Sequence, residues 1–271
     1  MKILMTGATG LVGARLLPRL VDDGYDCRVL VRRPGAAPRN VAEVVGDLSD
    51  IGSLAPAVKG VDAIIHLAAV FRTPDTDTIW KTNRDGTVNL IAAVQQHAPE
   101  ARFIMASTAH VYAADGTRPG CEEDIVDPKQ AYPASKLAAE NALHNSGLTW
   151  TVQRYGFVYG DGDGHLEALL DLATNAGLHP AQRMSLIHHR DVATATRLAL
   201  TGAFDGRIVN ITDDAPTSLY ELVAIGGGAM EPSSRALEHP WHLQMNGALA
   251  RRLGFRPTLR TIHHAIEQRA M

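Results

Sequence analysis

The sequence predicts an α/β fold built on a doubly wound parallel sheet. Three observations carry that expectation. Short β-branched runs alternate with longer amphipathic stretches, a glycine-rich turn joins the first such pair, and 271 residues of which 45% are hydrophobic suffice for one large core. Parallel strands need crossover helices, and the alternation supplies them.

Residues 2–6, 27–31, 63–67, 102–107, 150–154 and 207–212 read as buried strands, with a further short strand ahead of Asp47. Between them, Val12, Leu16, Leu17, Leu20 and Val21 fall on one helical face, as do Val88, Ile91, Ala92 and Val94 later. Pro18 lies inside the first helix, where it removes a backbone hydrogen bond. Another helix is predicted from Tyr132 to about Ser146. The stretch 161–180 and the tail after Asp213 are richer in Gly, Pro and His.

Charge and cysteine content exclude several classes of partner. Against 29 acidic residues stand 26 Lys and Arg, a net charge of −3 that leaves no basic footprint for nucleic acid or an anionic membrane. Cys27 and Cys121 form no CxxC spacing, so neither a disulfide framework nor a zinc cluster is expected. Residues 1–5 reach Gly7 without an apolar leader, and the run 63–71 is short and broken by His66. The expectation is a cytoplasmic protein outside the membrane.

Gly7-Ala8-Thr9-Gly10-Leu11-Val12-Gly13 follows a strand and opens a helix. In that context a glycine turn lets backbone amides approach a pyrophosphate at the helix N-terminus, which makes the fold Rossmann-type. The next strand ends Val31-Arg32-Arg33-Pro34, where an NAD protein places an acid for the ribose 2′-hydroxyl. Arg32 and Arg33 instead suit a 2′-phosphate, so NADP is expected, with NAD left open. Asp47 and Leu48, after the short third strand, are placed beside the adenine. The expected organisation is a dinucleotide domain over 1–160 plus about 186–212. A small C-terminal substrate-binding subdomain takes about 161–185 plus 213–271.

Tyr132-Pro133-Ala134-Ser135-Lys136 sets a phenol and an ammonium four residues apart, on one helical face. A phenol titrates near pH ~10, so proton transfer at neutrality needs a neighbouring cation to stabilise phenolate. Ser107-Thr108 close a predicted strand at the sheet edge where ligands gather, and Thr108 is expected to donate a hydrogen bond to the substrate oxygen.

Taken together, TGATGLVG, GDLSD, HLAA, Asn83-Arg84-Asp85-Gly86-Thr87, AST…VY, YPASK and RYGFVYG resemble the extended short-chain dehydrogenase/reductase family over essentially the whole chain. The tail LARRLGFRP (249–257) is similar to the family's closing segment. The resemblance implies Gly7, Gly10 and Gly13 at the pyrophosphate, with Thr9, Leu11 and Val12 in the same loop. It places Asp47 near adenine and Leu67, Ala68, Ala69, Asn83, Tyr155 and Val158 beside the cofactor. Thr108, Tyr132 and Lys136 take the catalytic roles, Lys136 also holding the nicotinamide ribose. A homodimer through a four-helix bundle is implied too, formed by the helices that include 83–94 and 132–143, where the small residues Ala134, Ala138, Ala139 and Ala142 either allow close packing between protomers or face the sheet.

Departures from the family pattern narrow the substrate. Sugar-nucleotide epimerases and dehydratases follow Arg-Tyr with Phe-Asn, but Gly156-Phe157 stands here, and Met184 occupies the place of a diphosphate-binding Arg, with Arg183 adjacent. The VRRP strand end is similar to that of NADPH-dependent ketone reductases of the dihydroflavonol-reductase branch. An oxidoreductase acting on the carbonyl or alcohol of an uncharged or moderately polar small molecule is therefore expected. An epimerase or dehydratase, and an NADP-binding redox sensor, stand as alternatives.

Other signals carry no chemistry. A calcium register at Asp161-Gly162-Asp163-Gly164 puts His165 and Leu172 where ligands belong, so a flexible loop is expected there. The adjacent pairs His188-His189 and His263-His264 point to different sides of an element, and no metal is expected. Glu122, Glu123, Asp124 and Asp127 read as a solvated loop, with a place at the rim of the substrate mouth as the alternative, and Trp241 reads as a packing residue, with a place in the pocket lining as the alternative.

Overall fold

The computed structural model describes residues 1–38 and 40–271. Strand β1 (Lys2–Thr6) leads through the glycine turn to α1 (Gly13–Asp22), β2 (Asp26–Val31) and β3 (Ala42–Val45). After α2 (Ala55–Val58) come β4 (Ala63–His66), α3 (Thr76–Trp80), a π-helical turn at Lys81–Asp85 and α4 (Gly86–His97). Next are β5 (Arg102–Thr108), α5 (Ala131–His144), β6 (Trp150–Tyr155) and β7 (Phe157–Tyr159). The remainder holds α6 (Leu169–Asn175), β8 (Arg183–Met184), β9 (Leu186–His188), α7 (His189–Leu200), β10 (Arg207–Ile211), β11 (Thr217–Ser218), α8 (Leu219–Ile225), α9 (Ala248–Arg252) and α10 (Ile262–Glu267).

Seven strands pair in the order β3-β2-β1-β4-β5-β6-β10, all parallel. The order reverses between β1 and β4, and such a switch point opens a crevice beyond the strands' carboxyl ends. Along β1, Ile3 and Met5 join one core and Leu4 the other. This period of two buries both faces of the sheet, as a doubly wound parallel sheet requires. The first core packs Leu16, Leu17 and Leu20 of α1 with Val192, Ala195 and Ala199 of α7. The second packs Leu90 and Val94 of α4 with Ala139 and Leu143 of α5.

The expected positions Leu16, Leu17 and Leu20 of α1 and Ile91 and Val94 of α4 are buried, but one expected residue on each helix is exposed. Val88 is 37% and Val21 38% exposed, and α4 instead turns Thr87, Leu90, Ile91 and Val94 inward. That set keeps the i, i+3, i+4, i+7 spacing by admitting a polar Thr87 that has partners inside. Helix α1 runs unbroken through Pro18. Both Pro18 and Ala14, whose carbonyl loses its bond, are exposed, so the freed acceptor is open to solvent.

A third core gathers Leu169, Leu222, Leu243 and Ile262, from the two expected C-terminal pieces, with Tyr159 of β7 and Leu186 of β9, which belong to the expected dinucleotide domain. The tail is not walled off from the sheet, because Ala250 and Phe255 enter the first core. Among the described residues no helix is long and apolar enough to cross a membrane.

Candidate active site

Three glycines shape the turn between β1 and α1, each for a different reason. Gly7 has φ +72°, and a Cβ there would lie 2.5 Å from the Ala68 nitrogen. At Gly13 a Cβ would lie 2.1 Å from the Gly7 carbonyl oxygen, so helix and strand approach only without a side chain. A Cβ on Gly10 meets nothing tighter than 3.3 Å, so its bareness serves no packing within the protein. It leaves a backbone that an external group can approach. Helix α1 has no side-chain cap. Among the described residues the N–H groups of Leu11, Val12 and Gly13 find no acceptor, which leaves donors for an anion. Thr9 is exposed on the same loop.

Beside this loop, β2 delivers exposed Arg32 and Arg33. Asp47 accepts from Ser49 N (2.8 Å) and Ser49 Oγ (2.7 Å), and these bonds, with the charges of Arg32 and Lys81, hold its carboxyl below the usual range. Arg32, Lys81 and Asp47 therefore share one region. Leu48 is buried, and its carbonyl accepts from Asn89 Nδ2 (2.8 Å).

A buried polar chain that the sequence reading missed ties the switch point together. His66 Nδ1 lies 2.7 Å from Thr6 Oγ1, and Nε2 lies 2.9 Å from Thr87 Oγ1. Because Thr87 Oγ1 donates to the Asn83 carbonyl (2.6 Å), it accepts from His66, and the imidazole proton belongs on Nε2. Burial first, then the Lys136 charge, pushes His66 down to about 3, so the ring is neutral. Asn83, on the π-helical turn, spends its amide on Val70 N (2.7 Å), Val70 O (2.9 Å) and Ser135 Oγ (3.0 Å). It fixes the segment leaving β4 against α5, so its amide is occupied by the protein itself. Leu67, Ala68 and Ala69 on that segment are half-buried, and Ala68 N donates to Thr6 Oγ1 (3.3 Å).

Tyr132 and Lys136 share one face of α5, over the same edge. The Tyr132 ring lies against Phe71, ring centres 5.5 Å apart, and burial pushes the phenol up to about 12. Lys136 is 2% exposed. Burial brings its amine down to about 8 against the opposing pull of Glu140, and its charge is felt at His66, so it lies toward the end of β4. Among the described residues neither the phenol nor the amine has a hydrogen-bond partner. The amine nitrogen keeps a small opening to solvent, through which a ligand can complete its hydrogen bonds. Thr108 ends β5 buried, with Oγ1 accepting from His110 N (3.2 Å) and its own proton free to donate.

Behind Lys136 lies a second buried polar group absent from the sequence reading. Arg154 Nη2 donates to Glu140 Oε2 (2.6 Å), both side chains being 2% exposed, and Ser107 Oγ donates to Glu140 Oε1. The guanidinium lies 5.0 Å over the Tyr112 ring, whose hydroxyl donates to Asn210 Oδ1 (2.6 Å).

Tyr155, expected beside the cofactor, places its ring in the first core and its hydroxyl on Gln153 Oε1. Side chains alternate along a strand, so residues two apart share a face, and this one is the core face. Val158 is buried in the same core, with its carbonyl accepting from His165 Nδ1 (2.8 Å). At Gly156 a Cβ would lie 2.5 Å from the Ser185 carbonyl oxygen, so that position holds no side chain.

The loop at 161–165 is tied down rather than free. Asp161 pairs with Arg19 (2.7 Å) and Asp163 with His189 (2.7 Å). The acidic patch is likewise engaged, Asp124 with Arg118 (2.7 Å) and Glu122 with Asn210 N (2.8 Å). A pocket of about 280 Å³ opens between the segment after Thr108 and the C-terminal piece, lined by Tyr112, Arg118, Asp124, Ile125, Trp241 and Leu243. Trp241 therefore lines a pocket.

Comparison with known proteins bears on the same residues. The chain is 31% identical over 199 residues to a ceramide reductase of Caulobacter vibrioides, covering 70% of this chain and 58% of that protein. It thus spans less than two thirds of that relative. It is 28% identical over 287 residues to a 3-beta-hydroxysteroid dehydrogenase of Mycolicibacterium neoaurum, covering 91% and 75% of the two chains. Among solved structures, a short-chain dehydrogenase/reductase superfamily protein from Agrobacterium tumefaciens with bound NAD superposes with a TM-score of 0.82 at 22% identity, covering 99% and 95%. The model of the NAD dependent epimerase/dehydratase family matches residues 3–212, which takes in the glycine turn, the Tyr132–Lys136 pair and all seven strands of the parallel sheet, and the chain belongs to that family.

Proposed function

We propose that the chain is an NADP(H)-dependent oxidoreductase that reduces a ketone or aldehyde, or oxidises the corresponding alcohol. The carrying observation is the buried, unpartnered Lys136 amine one helical turn from the Tyr132 phenol, at the sheet's switch point. A nicotinamide dinucleotide suits the residues present: the bare backbone at Gly10, the free N–H groups of Leu11, Val12 and Gly13, and the Lys136 amine for a ribose hydroxyl. Exposed Arg32 and Arg33, with Lys81 near Asp47, favour a 2′-phosphate and hence NADP. When bound, the cofactor supplies hydride to, or takes it from, the substrate carbon. Thr108 donates a hydrogen bond to the substrate oxygen and Tyr132 passes the proton to it. The charged Lys136 amine stabilises the phenolate that remains.

Carbonyl chemistry is preferred to sugar-nucleotide epimerisation because Gly156 and Phe157 replace the Phe-Asn pair and Met184 is buried in the third core. The names of the two curated relatives, a reductase and a dehydrogenase, support the same reading. A homodimer through α4 and α5 is part of the proposal, with half-covered Ala134 and Ala138 and exposed Val88 available for contact. Light scattering at micromolar protein tests it.

The decisive experiment follows NADPH and NADH oxidation over a panel of carbonyl compounds. Stoichiometric NADPH consumption is expected, lost by roughly 100-fold or more in Tyr132→Phe while NADP(H) still binds. Retained activity in that variant favours the redox-sensor alternative. Isomerised product with cofactor unconsumed favours the epimerase.

A further inference from the structure

Arg72 lies six residues beyond the end of β4 in a pose that the fold has to hold. Its φ of 59° is in the left-handed region, which disfavours residues other than glycine. The guanidinium carbon sits 4.8 Å from the Phe71 ring centre, and that ring leans on Tyr132 at 5.5 Å. On its other side Nη2 donates to His165 Nε2. The His165 ring stacks on Phe157 at 4.1 Å and donates through Nδ1 to the Val158 carbonyl (2.8 Å). A ring that accepts at Nε2 and donates at Nδ1 is neutral, so it positions the arginine without cancelling its charge.

The guanidinium makes no ion pair among the described residues. Asp163 is the acid whose charge reaches it. Both Asp163 oxygens are engaged, Oδ2 by His189 Nε2 (2.7 Å) and Oδ1 by His165 N (2.8 Å). A solvent-open cation is thus propped between two aromatic stacks, one of which ends on the proton-carrying phenol. Steps of 5.5 and 4.8 Å put the guanidinium carbon no more than about 10 Å from the Tyr132 ring centre.

We infer that Arg72, propped by Phe71 and His165, receives an anionic group of the substrate, which is therefore a carbonyl compound bearing a carboxylate or phosphate. The inference rests on the carbonyl reading of Tyr132 given above. Planar guanidinium forks bind such groups through paired hydrogen bonds, and the flanking rings hold this fork in place.

The probes are the methyl-ketone acids 4-oxopentanoate, 6-oxoheptanoate and 8-oxononanoate with their methyl esters. Two arms are measured: NADPH turnover, and calorimetric binding of each acid and ester to the NADP-loaded protein. At least one acid should exceed its ester by roughly 10- to 100-fold in kcat/KM and in affinity. Arg72→Gln should erase that preference through KM, leaving ester turnover and NADP(H) affinity within about twofold, and Arg72→Lys should restore part of it. If no probe is reduced but acids still bind in preference and lose this in Arg72→Gln, the carbonyl reading fails and the anion site stands. Equal handling of acid and ester by the unmodified protein, binding of neither, or a matching loss of NADP(H) affinity in Arg72→Gln overturns the site.

Discussion

His66 shows how a single residue sets the pH response of the switch point. It is fully buried and neutral, accepting from Thr6 and donating to Thr87. Its proton affinity is lowered from the ordinary 6.5 to about 3, so between those values the unfolded chain binds a proton that the folded chain refuses. Stability is then lost as pH falls through that window, by up to about 1.4 kcal/mol per pH unit. His66→Gln should cost about 1–3 kcal/mol at pH 7.5, and the deficit should shrink at pH 4.5, where the variant lacks the proton-linked penalty. Urea melts at both pH values measure this, and a deficit independent of pH excludes the assignment. The sequence showed His66 only as a break in an apolar run, because its partners come from 60 and 21 residues away. Glu140 and Arg154 were hidden for the same reason. A carboxylate one turn past Lys136 and an arginine within a buried strand become a pair only once α5 lies over β6. By contrast Tyr132 and Lys136 were legible, since spacing along one helix is local information.

At the scale of elements, six strands and the helix after Tyr132 were legible because apolar periodicity and a glycine turn are written within short windows. The full inward face of α4 was not, since Thr87 points inward to meet His66 and its polarity misleads a count of apolar positions. The β1–α1 turn allows its glycines to be separated by experiment. Gly7→Ala and Gly13→Ala put a methyl within 2.5 and 2.1 Å of backbone atoms that have nowhere to move. Each should lower the stability of the ligand-free protein by about 3 kcal/mol or more, at the upper end of overpacking costs. Gly10→Ala meets only a 3.3 Å contact and should leave that stability within about 1 kcal/mol, while weakening NADP(H) binding at least tenfold. Thermal melts with and without NADP(H) distinguish the two classes. A Gly10→Ala protein that binds normally would remove the loop from the cofactor site.

For the whole molecule the question is whether the C-terminal piece folds with the sheet or beside it. The third core suggests independence, yet Ala250 and Phe255 are buried in the first core beneath α7. Asp191 on α7 reaches across to accept from Thr258 N (2.6 Å), Thr258 Oγ1 (2.7 Å) and Leu259 N (2.9 Å). These contacts span 67 and 68 residues of sequence, so pattern within either piece gives no sign of them. Opening the pieces apart would expose Phe255 and strand three donors together with a carboxylate, which couples the two cores into one transition. Asp191→Ala should therefore cost about 3 kcal/mol or more and still unfold in a single step, because the Phe255 contact remains. Asp191→Asn should cost less, since its amide oxygen keeps the Thr258 bonds while its NH₂ group faces the Leu259 donor. Calorimetry and circular dichroism on both variants provide the check. Two resolved transitions in Asp191→Ala would mean that the carboxylate alone joins two separately stable units.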